Sequence, residues 1–162
     1  GVDIWACSLA CYTENFKNAG ADVDGTYVWM QSIPFEEASS NKAVETYVNA
    51  MGGKPDSFGA QAWQAGMAFT KAINEIVAEK GANAITRANI LAKMKTLSFD
   101  AGGWIGKART SPKVFSDCMV VMQINGGKFT RVFPKEVGTL DCKSSNITTV
   151  KIDPAAAAAN IK

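Results

Sequence analysis

Val2-Asp3-Ile4-Trp5-Ala6 and, further along, Thr26-Tyr27-Val28-Trp29-Met30-Gln31 are the stretches that decide the fold. Both are short apolar runs with β-branched and aromatic members, the composition of a strand buried in a sheet. Between them, residues 12–18 read as a short helix closed by Gly20, which suits the left-handed position past a helix end. Ala21-Asp22-Val23-Asp24-Gly25 then reads as a turn. Strand, helix, turn, strand is a βαβ unit, and its crossover makes the two strands parallel neighbours in an α/β sheet.

Downstream, Pro34 ends the second strand, and Ser39 or Ser40 can cap a helix running to about Met51, where Gly52-Gly53 stops it. Ser57 is placed to cap a long helix to Lys80, with Trp63, Gly66, Met67, Thr70, Ile73, Ile76 and Val77 on its buried face. Thr86 caps a third helix over 87–96, carrying Ile90, Leu91 and Met94 inward. Periodicity breaks up over 98–115, where Phe99 to Gly106 reads as a glycine-rich loop with one short strand. Residues 118–124 and 128–133 alternate around Asn125-Gly126-Gly127, an antiparallel hairpin signal. Asp153-Pro154 and five alanines read as a loose tail.

The chain has 162 residues with a formal charge of +2, which gives no electrostatic case for nucleic acid or an anionic membrane. It contains no histidine, so His triads, His bases and His-containing metal sites are excluded. No apolar run approaches the roughly 18–20 residues that span a bilayer. Gly1 is not preceded by Met and no secretory leader is visible, so the chain reads as a mature or truncated product. Cys7, Cys11, Cys118 and Cys142 contain no CxxC pair and fit no common zinc spacing. Two disulfides explain them better than free buried thiols, and put the protein outside the cytosol. Cys118 opens the hairpin and Cys142 follows it after a Gly-containing loop able to fold back, which pairs Cys118 with Cys142 and leaves Cys7 to Cys11.

Enzyme signals are weak. Glu36-Glu37 and Asp22 with Asp24 sit in turns where neighbouring carboxylates point apart into water. There is no GxGxxG or GxxxxGK[ST], and Gly102-Gly103 with Gly106 does not lie between a strand and a helix. Cys7 as a thiol nucleophile competes with its disulfide. Asn146-Ile147-Thr148 matches a glycosylation sequon, a pattern short enough to arise by chance. No cofactor or metal is called for. Binding is better supported, because small ligands sit where parallel strands end in polar loops. Those loops hold Ser8, and Gln31 with Ser32. Ser8 is either a ligand contact or a plain helix cap, and Trp63 is either a cleft aromatic or core.

Two stretches carry a family resemblance: Val28-Trp29-Met30-Gln31-Ser32-Ile33-Pro34-Phe35-Glu36-Glu37, and Pro55-Asp56-Ser57-Phe58-Gly59-Ala60-Gln61-Ala62-Trp63-Gln64-Ala65-Gly66. With Phe99-Asp100-Ala101-Gly102-Gly103 and Gly138-Thr139-Leu140-Asp141-Cys142, the chain resembles type I periplasmic binding proteins. It is most similar to the substrate-binding components of branched-chain amino acid ABC transporters, and to their second half only. The resemblance implies two three-layer α/β lobes with parallel sheets, closing by a hinge on an amino acid or similar solute. On that reading 1–33 belong to the C-terminal lobe, 34–117 supply helices and a loop to the N-terminal lobe, 118–145 cross back through the hinge, and 146–162 are tail.

Carried over by position, Ser8 faces the ligand from a strand-end loop, Trp63 lines the cleft, and Gln31 and Phe35 lie at the hinge crossing. Phe58 and Gln61 flank Trp63. The implied function is a non-enzymatic, extracellular, periplasmic or surface-anchored solute receptor. Its implied partners are a membrane permease of an ABC transporter and either the missing N-terminal half or another copy of the chain. The competing reading is an extracellular structural or assembly protein built from a binding-protein fragment.

Overall fold

The computed structural model describes residues 1–109 and 116–148. The tail motif Asp153-Pro154 and its alanines lie outside them. Strand β1 (Ala6–Cys7) pairs in parallel with β2 (Tyr27–Met30), as a βαβ unit requires. The first strand is shorter than residues 2–6. Val2, Ile4 and Trp5 are exposed, because only the Trp5 carbonyl meets the sheet, accepting from Tyr27 N at 2.9 Å. Helix α1 (Glu14–Lys17) is capped by Thr13, whose hydroxyl accepts from Phe16 N.

Helix α2 (Lys42–Ala50) begins later than Ser39 or Ser40 would place it. Asn41 is its cap, accepting from Ala43 N and Val44 N, and residues 35–40 form a 3₁₀ turn. Helix α3 (Ser57–Lys80) is capped by Asp56 rather than Ser57. Its buried line is Ser57, Ala60, Ala68, Ala72 and Ile76, rotated from the expected face. Small alanines let the helix sit close to its neighbours, while Trp63 and Val77 remain 37% exposed. Helix α4 (Arg87–Thr96) takes its cap from Thr86 as expected. Leu91 is 51% exposed rather than inward, while Ile90 and Met94 are half-buried.

The irregular stretch after α4 holds β3 (Ser98–Phe99) and β4 (Ala108–Arg109), an antiparallel pair, so it has two short strands rather than one. Strand β5 (Cys118–Asn125) alternates cleanly, with Cys118, Val120, Met122 and Ile124 buried. It pairs antiparallel with both β2 and β6 (Lys128–Phe133), and β7 (Asp141–Cys142) adds to its start. Sheet order is therefore β1-β2-β5-β6, with the parallel pairing confined to β1 and β2. Gly126 and Gly127 turn the hairpin at φ +56° and +71°, values other residues rarely adopt. Cys118 and Cys142 are direct cross-strand partners joined by a disulfide, and a second bridge joins Cys7 to Cys11. The sequon asparagine has a structural post here: Asn146 Nδ2 donates to the carbonyls of Asp117 and Asp141 at 3.0 Å.

Two apolar clusters meet at Phe35. One lies under the sheet, with Tyr12, Val28, Met30, Val120, Met122, Ile124 and Phe129. The other gathers Ile33, Val44, Tyr47, Ala60, Ala101 and Trp104 among the helices. Phe35 stacks on Tyr12 at 4.9 Å and lies 5.7 Å from Tyr47. Tyr12 donates its hydroxyl to the Glu36 carboxylate and accepts from Phe35 N at 2.7 Å. Burial, then the neighbouring Glu36 charge, push the Tyr12 hydroxyl well above its ordinary pKa, so it stays a donor.

Trp104 is fully buried, and its Nε1 donates to the Ile33 carbonyl at 3.1 Å while Ile33 N donates to the Trp104 carbonyl at 2.8 Å. Trp104→Ala should cost about 3–5 kcal/mol in urea unfolding, and Trp104→Phe distinctly less; equal losses would contradict the packing account. Arg131 holds Glu37 in a buried two-point ion pair, both contacts at 2.5 Å. Arg131→Met strands that carboxylate and should cost about 3–5 kcal/mol, part of it recovered by adding Glu37→Gln. No recovery in the double variant would show that Arg131 acts by other contacts.

Candidate ligand-binding cleft

The end of β2 turns into Gln31 and Ser32, and both face a cleft of about 500 Å³ between the sheet and the helices. Gln31 is oriented by its own bond, Nε2 donating to the Ser116 carbonyl at 2.8 Å, which leaves its amide oxygen as an acceptor. Ser32 bridges to Ile105 and so ties the floor of the cleft to the turn that carries Trp104. The first loop adds Ser8. It sits at the cap position of a 3₁₀ turn over Leu9–Cys11, yet makes no side-chain cap bond. That turn consumes the backbone donors of Cys11 and Tyr12 internally. With no cap bond to make, the Ser8 hydroxyl is left to face the cleft.

From the other side come Gln61 and Gln64, one helical turn apart on the opening turns of α3 and so on one face. Gly106 completes the floor. A Cβ there would run into the Ser116 hydroxyl and the sulfur of Cys118, which explains the need for glycine. Arg109 at the end of β4 supplies a charge, and no Asp, Glu or Cys side chain lines the cleft among the described residues. Leu9, Trp29 and Ile105 make an apolar wall. Few polar groups converging over apolar surface are the ordinary make-up of a small-molecule site.

Of the six residues the sequence pointed to, Ser8, Gln31 and Gln61 meet in this cleft. Trp63 instead lines a separate, larger apolar groove of about 1010 Å³ along α3, edge-on to Tyr47 at 5.6 Å. Phe35 is core, and Phe58 is 61% exposed outside the cleft. Sequence reasoning missed Gln64 and Arg109. Gln64 was legible, since it lies one turn from Gln61. Arg109 was not, because it belongs to the stretch where periodicity fails.

The geometry defines a domain of the α/β class with a cleft at its strand ends. Comparison with known families agrees: the model of the periplasmic binding protein family matches residues 2–128. The chain belongs to that family. No curated protein and no solved structure gives a significant match.

The polar cleft side chains Ser8, Gln61 and Gln64 make no bonds that hold the fold among the described residues. Their single replacement by Ala should change unfolding free energy by no more than about 0.5 kcal/mol. A loss above about 1 kcal/mol at any of the three would mean that the residue supports structure.

Proposed function

We propose that the protein is the extracellular or periplasmic solute-binding component of an ABC importer, closing by a hinge on a small amino-acid-like ligand without catalysing a reaction. Membership of the periplasmic binding protein family supports the solute-binding role. The observation that carries the reading is the convergence of Ser8, Gln31 and Gln61 on one cleft from three separate elements. Hinge closure brings two bodies together over such a cleft and removes the solute from water. The domain division proposed from the sequence, with 1–33 and 118–145 flanking helices at 34–117, puts the cleft at that hinge. A membrane permease is the proposed downstream partner.

A second polypeptide body is also proposed: an N-terminal half of the same architecture, or another copy of the chain. The groove along α3 supports it, with Met51, Trp63, Met67 and Thr70 open along one apolar face. An open groove with apolar side chains along it is one place where a second polypeptide can pack. The same groove favours a structural or assembly role as the second reading.

Calorimetric titration of the natural full-length protein with apolar amino acids separates these. The importer reading expects saturable binding, weakened at least about tenfold by the Gln31→Ala, Gln61→Ala double variant, the effect of about 1.4 kcal/mol. Trp63→Ala weakens binding by about 1–3 kcal/mol where the α3 groove joins the closed pocket. It leaves affinity unchanged where the groove serves another polypeptide. Concentration-dependent association with no solute binding would overturn the importer reading in favour of assembly.

A further inference from the structure

Arg109 gives the cleft an electrostatic character that solute binding alone leaves unassigned. Its backbone is fixed in the two-stranded ladder opposite Ser98, so the side chain projects from a strand rather than a free loop. Among the described residues no carboxylate pairs with it, since every ion pair involves other cations. The described lining contains no acidic residue to neutralise it, and the segment that follows, Thr110-Ser111-Pro112-Lys113-Val114-Phe115, has none in its sequence. Among the described residues the wall therefore carries a positive charge with no acidic partner. The same cleft holds the amides of Gln61 and Gln64, and the apolar side chains of Leu9, Trp29 and Ile105 complete it.

A guanidinium offers parallel N–H donors that match a carboxylate at two points, and such charge-assisted bonds are about twice as strong as neutral ones. An apolar wall next to it takes a hydrocarbon body. Resting on the reading of this cleft as a solute site, we propose that Arg109 is its carboxylate-recognising residue. The ligand class is then small apolar carboxylic acids, with the carboxylate on Arg109 and the body against Leu9, Trp29 and Ile105. An α-ammonium group finds no acidic partner on this wall, so the wall accepts 2-oxo acids on the same terms as amino acids.

The test is titration of the natural full-length protein with L-leucine, 4-methyl-2-oxopentanoate and L-leucinamide, whose bodies are alike and whose charges differ. Both acids should bind, and the amide at least about tenfold more weakly. Arg109→Gln should weaken both acids by about 10- to 100-fold without weakening the cationic amide, and should leave the melting temperature unchanged, since Arg109 is exposed. Arg109→Lys should restore part of the loss. Leucinamide binding as tightly as the acids, or acids indifferent to Arg109→Gln, overturns the role of Arg109 and leaves the solute site standing. Binding of none of the three probes overturns the amino-acid-like reading itself, and the role of Arg109 with it.

Discussion

Ile33 and Trp104 hold each other at two points, and the geometry of the cleft depends on that clasp. The indole N–H of the buried Trp104 finds its acceptor on the Ile33 carbonyl, and the Ile33 N–H finds its own on the Trp104 carbonyl. Burying an indole without such a partner costs on the order of 1–3 kcal/mol, so the bonds are a condition of the packing. One residue to either side, Ser32 bridges Ile105. The end of β2 and the turn from Asp100 to Gly106 therefore form one rigid floor, with sheet on one side and helices on the other.

The helices and strands with strong periodicity were legible from sequence. β5 alternates because one face packs on Tyr12 and Phe129, and its hairpin follows from two glycines at positive φ. Thr86 capped its helix as read, because its hydroxyl bonds Asn89 N. The buried face of α3 was misread for a physical reason. Large apolar residues were expected inside, but close packing selected the alanines and left Trp63 on an open groove. Residues 2–5 were read as buried strand on composition alone, and composition does not supply a neighbouring strand.

The cleft was half legible. Ser8, Gln31 and Gln61 could be reached from strand ends and from family resemblance. Gly106 and Arg109 lie where no period guides the eye, and only the tertiary clasp brings that stretch beneath Gln31. A cleft assembled from a strand end, a disulfide-closed turn, a helix start and an irregular loop is the expected product of an α/β fold. Polar groups that the fold does not consume collect where its layers part.

The central claim is that a solute occupies this cleft. A crystal structure of the natural full-length protein grown with the tightest-binding apolar acid tests it most directly. The account predicts density for the solute over the Ser32–Ile105 bridge, within hydrogen-bond distance of Ser8, Gln31 or Gln61. Solute bound elsewhere, with the cleft filled by the protein's own side chains, would contradict it.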